Sequence, residues 1–186
     1  MRRACLLVSL AAGLLLGACG GGDDDDGGSG GSKAEGTAAE GSLYEVKLPD
    51  GWRDRTDAAS DEDVPIKFDR VFATGFAEGF RTNVNVIRER RPGQLTLDEV
   101  ARVSGRQLRS AYGATDLGKP RKLRLGEEDA RAYAYSVATQ GKKLRGEQVI
   151  AFRGERIFYV TFTALRSVYG DRHGEFEQIL GSWSWK

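Results

Sequence analysis

Between residues 122 and 164 the chain alternates apolar and polar side chains in runs broken only by turns of two to four residues. Lys122-Leu123-Arg124-Leu125-Gly126 opens the series, and Ala130 to Thr139 follows with Tyr133 and Tyr135 on one side. Gln140-Gly141-Lys142-Lys143 turns the chain, Leu144 to Phe152 returns it, and Arg153-Gly154-Glu155-Arg156 turns it again into Ile157 to Ala164. In that last run Phe158, Val160 and Phe162 oppose Tyr159, Thr161 and Thr163. A period of two marks strands. Connections this short join only antiparallel neighbours, because a parallel pair needs a crossover of a dozen or more residues. This half of the chain is therefore expected to be an antiparallel meander, and the rest must pack against it.

The preceding segment supplies further strands and one well-marked helix. Tyr44, Val46 and Leu48 alternate up to the turn Pro49-Asp50-Gly51, with Trp52 just beyond. Thr56 to Val64 is polar and acidic and reads as a loop. Ile66, Phe68, Arg70 and Phe72 share one side of a second strand, with Val71 and Ala73 on the other; Val84 and Val86 oppose Asn83, Asn85 and Ile87 in a third. Thr96-Leu97-Asp98-Glu99 has the form of a capping box, with two acids near the positive end of the helix dipole. Leu97, Val100, Ala101, Ser104, Leu108, Ala111 and Tyr112 then share one helical face, and Gly113 ends the helix. Gly105 inside it marks a weak point or a close crossing. A second helix is expected over residues 171–180, presenting Phe176, Ile179 and Leu180 to the sheet ahead of Trp183 and Trp185. The fold class is α+β: an antiparallel sheet of about six strands flanked by helices.

The N-terminus says where such a domain works. Met1-Arg2-Arg3 is a positive n-region, and Ala4 to Leu16 is apolar apart from Ser9 and Gly13. Thirteen residues suit an export signal and fall short of the roughly 20 that span a bilayer as a helix. Leu16-Gly17-Ala18-Cys19 resembles a bacterial lipobox. That resemblance implies that the Cys19 thiol receives a diacylglyceryl thioether carrying palmitate-type chains, with cleavage between Ala18 and Cys19. Cys5 leaves with the signal, so the mature domain keeps no free thiol. Residues 1–18 are thus expected to be a lipoprotein signal peptide. Residues 19–42 follow as the lipidated Cys and a Gly/Asp/Ser tether, with nine Gly among residues 20–42. The run Asp23-Asp24-Asp25-Asp26 lacks the alternating spacing of a calcium loop and reads as solvated spacer. Residues 43–186 form a single α/β domain. The expected location is the extracytoplasmic face of a cell membrane, held by acylated Cys19 in the bilayer.

Charge and side-chain inventory narrow the chemistry. The chain has 28 Lys+Arg and 27 Asp+Glu, of which three bases and six acids precede residue 43, leaving the domain with 25 bases against 21 acids. No block of basic residues reads as a nucleic-acid arm. His173 is the one imidazole and sits at a helix start beside Asp171 and Arg172, where it reads as a surface or capping residue. Metal-ligand clusters, phosphate-cradling glycine motifs and the Gly-x-Ser-x-Gly elbow are missing from the sequence, so neither metal, cofactor nor catalytic residues are assigned. Basic clusters stand out: Arg88, Arg90 and Arg91; Lys119, Arg121, Lys122 and Arg124; and Lys142, Lys143 and Arg145. The last two groups are the candidate interaction patch, set against the plainer reading of a solvated outer face. Tyr133, Tyr135 and Tyr159 are candidates to line a binding face, with core packing as the plainer role.

In order of features, residues 43–186 resemble the PsbP-like/Mog-like α/β fold, and within it the small actinobacterial lipoproteins of the LpqN-like kind. Leu48-Pro49-Asp50-Gly51-Trp52, Thr96-Leu97-Asp98-Glu99 and Phe158-Tyr159-Val160-Thr161 carry the resemblance. It implies an antiparallel sheet flanked by helices and an accessory, protein-binding role, and it supplies no catalytic residues. An excess of Arg over Lys, 20 to 8, fits a GC-rich bacterial genome. The expectation is a non-enzymatic interaction or accessory module of an envelope complex, with an envelope protein as partner and no nucleic acid. The alternative is a carrier or chaperone for a lipid or other apolar small molecule, held in a groove between helix and sheet.

Overall fold

The computed structural model describes residues 37–40, 43–60, 67–91 and 93–186. Among them the meander is present as expected: β6 (Arg121–Leu125), β7 (Glu128–Thr139), β8 (Lys142–Arg153) and β9 (Arg156–Leu165) pair in antiparallel succession. On the far side of β9 lies β5 (Phe80–Arg90), then β4 (Arg70–Ala77), then the two-residue β3 (Arg53–Asp54). The result is one seven-stranded antiparallel sheet in the order β3-β4-β5-β9-β8-β7-β6.

A second, three-stranded sheet packs against one face of the first. It consists of β1 (Thr37–Glu40), β2 (Tyr44–Leu48) and β10 (Ser184–Trp185), with β2 in the middle. Alternate residues Tyr44, Val46 and Leu48 are buried while Glu45 and Lys47 are exposed, the pattern of a strand covered on one side. Helix α3 (Tyr169–Gly181) lies on the same side and sends Phe176 and Ile179 inward. Rings dominate this layer: Tyr44 stacks on Trp183 at 4.1 Å, Phe162 stacks on Phe176 at 5.0 Å, and Trp185 meets Phe158 edge-on at 4.8 Å. The indole N–H of Trp185 donates to the Leu125 carbonyl at 2.7 Å, fastening the chain end to β6.

The opposite face is covered by α2 (Leu97–Tyr112). Its start is the expected capping box: Thr96 Oγ1 accepts from the Glu99 N–H, and the Glu99 carboxylate accepts from the Thr96 N–H. Its end is Gly113 in the left-handed conformation, φ 62°. Val100, Ala101, Ser104 and Leu108 face the sheet. Gly105 is the close crossing: a Cβ there would stand 3.1 Å from Leu117 Cδ2.

Several expectations are corrected. The expected antiparallel sheet of about six strands is found with the two-residue β3 as a seventh, while β1 and β10 join β2 in the smaller sheet; all three are held by backbone pairing and offer little or no apolar alternation to read. Thr37–Glu40 falls inside residues 19–42, read as tether; it pairs with β2 from Thr37↔Leu48 to Glu40↔Glu45, with the small Ala39 buried and Thr37 and Ala38 exposed. Thr56–Ser60, read as loop, is a short helix α1, with Thr56 held by the Asp54 carboxylate at 2.9 Å. The second strand begins at Arg70, after Phe68; Ile66 and residues 61–64 of the expected loop lie outside the described residues. So do residues 1–36.

Tyr135 lies flat against β8 at Gly146, where a Cβ would meet the ring 2.6 Å away. Gly146→Ala is expected to destabilise the domain by about 1–3 kcal/mol through overpacking. Urea denaturation checks this; an unchanged midpoint would mean that Tyr135 moves freely.

Candidate functional site

Because strand side chains alternate, the register states which residues share a face. On the α2 side, one row crosses the sheet as Tyr133–Gln148–Thr161–Asn85, and the next as Tyr135–Gly146–Thr163–Asn83. All the side chains in these rows are buried, and Ser104 of α2 is buried over them. Gln148 ties the layer together. Its Oε1 accepts from Ser104 Oγ at 2.7 Å and from the Tyr133 hydroxyl, and its Nε2 donates to Thr161 Oγ1 at 3.2 Å. Elsewhere on this face polar groups go unsatisfied. Asn83 Oδ1, Asn85 Nδ2 and the Tyr159 hydroxyl are buried with no hydrogen bond, and the Tyr135 hydroxyl lies beside Thr163 Oγ1 outside hydrogen-bond geometry. The sequence brought Tyr133, Tyr135 and Tyr159 forward as candidates, and the structure places all three in this closed layer. Burial pushes each phenol above its ordinary value.

The α3 side holds a buried carboxylate. Glu147 stands next to Gln148 in β8 and so points the other way, paired across strands with Phe162. Arg121 of β6 donates to its Oε1, and His173 Nε2 of α3 lies 2.9 Å from its Oε2. His173 Nδ1 faces Glu177 at 3.7 Å, and its ring packs on Tyr169 at 5.2 Å. His173, expected at the surface, is thus about three-quarters buried and clamps α3 to the sheet. A carboxylate-oriented imidazole has proton-transfer geometry, but Arg121 already balances the Glu147 charge, which makes this an internal ion-pair group. Among the described residues no three His, Cys, Asp or Glu come together as a metal site.

The seven patch residues do not share one surface. Lys119, Arg121, Lys122 and Arg124 line the exposed edge strand β6 and its lead-in. Lys142, Lys143 and Arg145 lie at the β7–β8 turn, at the other end of β7. Within β6, Arg121 turns to Glu147, while Arg124 donates to the Glu127 carbonyl and pairs with Asp129 at 3.6 Å. At the turn, Lys142 Nζ donates to the Glu78 carbonyl at 3.0 Å, and Arg145 covers the Tyr169 ring at 5.0 Å. Cys19 and the segment Leu16, Gly17 and Ala18 lie outside the described residues.

Sequence reading missed Glu147, Phe76 and Arg166. Glu147-Gln148 offered a signal: two successive polar residues inside an otherwise apolar strand place one polar group on each face. Phe76 and Arg166 offered none. Phe76, 51% exposed, is the one large apolar side chain left exposed among the described residues, and Arg81 stacks over its ring at 4.0 Å. A cleft of about 560 Å³ opens beside the same turn, lined by Glu78, Gly141, Lys142, Lys143, Leu165, Arg166 and Ser167.

The family model described as DcrB matches residues 40–182. The chain belongs to the DcrB family. No curated protein matches it in sequence. Among solved structures it is similar to LpqN of Mycobacterium tuberculosis, with TM-score 0.63 and 15% identity over 82% of this chain and 91% of that one. It is also similar to the cyanobacterial PsbP of Synechocystis sp. PCC 6803, with TM-score 0.60 and 14% identity over 86% and 98% of the two chains. PA94 of Pseudomonas aeruginosa follows at TM-score 0.51 and 15% identity over 75% and 93%. At these identities the likeness establishes the fold, and the expected PsbP-like architecture is the one found. In this DcrB-family domain the turn Pro49-Asp50-Gly51-Trp52 joins the small sheet to α3. Gly51 takes φ 79°, and the Trp52 indole donates to Glu175 of α3 at 2.7 Å.

Two outcomes follow from the polar layer. Gln148→Leu strands the Ser104 and Tyr133 hydroxyls and should destabilise by about 2–3 kcal/mol, whereas Asn85→Leu removes an unsatisfied group and should be neutral or stabilising. Paired urea melts separate them; equal losses would mean that Asn85 has a partner. Buried tyrosines also set an alkaline limit. Their folded pKa values exceed the unfolded value of about 10, so the stability they contribute is intact below pH 10 and falls as pH rises above it. Phenolate absorbance at 295 nm should therefore rise for these residues only with unfolding; a rise in the folded protein would place them in contact with solvent.

Proposed function

We propose that this chain is a membrane-anchored extracytoplasmic lipoprotein whose domain is a non-catalytic, protein-binding accessory module of an envelope complex. The observation that carries the interaction reading is the edge of the large sheet. β6 ends the sheet and exposes Arg121, Lys122 and Arg124, with Lys119 just before it. A strand edge presents unpaired backbone groups to a partner strand, and its cations favour an acidic one. Lysine-rich edges also guard against aggregation, which is the competing role of the same residues.

Two further points support the reading. The lipobox-like Leu16-Gly17-Ala18-Cys19 follows an export-type segment. The likeness to LpqN is to a protein involved in cell envelope biogenesis. No described helix is long and apolar enough to cross a membrane, and the anchor in this reading is the acylated Cys19. The carrier alternative is less well supported, because the layer between α2 and the sheet is filled and polar at its centre, which does not suit an apolar cargo.

Two substitutions test the proposal separately. Cys19→Ala should move the protein from the detergent to the aqueous phase, and retention in detergent would refute acylation. A photo-crosslinking residue at Lys122, in the protein's own membrane, should capture one protein in a defined band, which Arg124→Glu weakens. A smear unaffected by that change would rule out the β6 edge as the docking surface.

A further inference from the structure

We infer that the end of the domain built from the β4–β5 turn, the β7–β8 turn and the β9–α3 connection rests on an anionic lipid surface. Both turns are two-residue hairpins with positive φ at both positions: Glu78 52° and Gly79 66°, Gln140 48° and Gly141 74°. This is the tight turn whose twist matches the strands. Lys142 bridges them by donating to the Glu78 carbonyl, its Nζ 3.2 Å from where a Gly79 Cβ would stand. Phe76, two residues before Glu78 in β4, is exposed with the Arg81 guanidinium over its ring. Lys143 and Arg166 are exposed on the walls of the adjoining cleft, and Glu78 is its one acid.

This is the chemistry of an interfacial contact: an exposed aromatic to enter the headgroup boundary, with cations at the same end of the domain to meet lipid phosphates. A single exposed apolar side chain does not make the apolar centre of a stable protein interface, which buries about 800 Å² per partner. The inference rests on the membrane-anchored reading for proximity alone. In that reading the 17 residues between Cys19 and β1, as a glycine-rich coil, would span about 23 Å, so a tethered domain meets the bilayer at high effective concentration and a weak patch suffices. The β6 edge, at the other end of β7, is left open to a protein partner.

The test uses the mature acylated protein in nanodiscs of phosphatidylcholine alone or of phosphatidylcholine with phosphatidylglycerol, read by amide hydrogen exchange. Ala77 to Arg81 and Gly141 to Lys143 should exchange about fivefold more slowly in the anionic discs, the factor that one cation's attraction supplies. Phe76→Ser with Lys143→Glu should abolish the difference while exchange in β8 and β9 stays unchanged; Lys122→Glu should leave it intact. Equal exchange in both discs overturns the inference. So does protection that appears only in native membranes and crosslinks to a protein, which assigns the surface to an envelope partner. Failure to co-elute with either disc refutes the anchor instead, so the two failures are distinguishable.

Discussion

Gln148 holds helix and sheet together by accepting from Ser104 and Tyr133 and donating to Thr161. The surrounding structure depends on this knot because both faces of the seven-stranded sheet are buried, so a polar residue at its centre finds no water on either side. Its neighbour Glu147 meets the same constraint on the other face with charge, through Arg121 and His173. Two adjacent residues of β8 therefore fix the two layers that cover the sheet, α2 through a neutral network and α3 through a carboxylate that Arg121 and the His173 imidazole share. A buried pair of this kind is weak evidence for net stability, since desolvation offsets much of the attraction. Its contribution is positional: only one placement of α3 brings His173 to Glu147.

The parts legible in the sequence were those written in local patterns. The capping box at Thr96 and Glu99, the left-handed Gly113 and the short turns of the meander each have a chemical requirement satisfied within a few residues. β1 was not legible, because Thr37-Ala38-Ala39-Glu40 is held by pairing to β2 and contributes one small buried side chain. β10 depends likewise on β2, through Trp185↔Tyr44, a pairing across most of the chain. Period-two alternation says which residues share a face and nothing about what covers it. Asn83, Asn85, Thr161 and Thr163 were correctly placed on one side of their strands, yet that side lies inside the molecule.

The candidate patch shows the same limit. Lys119 to Arg124 and Lys142 to Arg145 are close in sequence terms because β6, β7 and β8 are consecutive. Antiparallel pairing separates them: β6 meets β7 at residues 128–132, while Lys142 and Lys143 meet it at Thr139 and Ala138. At a strand rise of about 3.3 Å per residue the two groups stand roughly 20 Å apart. Alternation then divides each group between faces, sending Arg121 toward Glu147 and Arg145 over Tyr169. Conversely, folding brings Phe76, Lys142 and Arg166, from three distant segments, to one end.

An interior closed in this way bears on where function resides. Side chains able to do proton chemistry are already committed: His173 to Glu147, and the tyrosine hydroxyls to a layer where burial keeps them protonated. Opening either layer to a substrate would separate groups that now satisfy one another, leaving a charge or several hydroxyls unpaired in the core. The exposed chemistry lies outside, on a cationic strand edge and on an aromatic hairpin end. In the proposed reading the domain acts through what its surface touches, and the separation of those two surfaces lets it meet a bilayer and a partner at once.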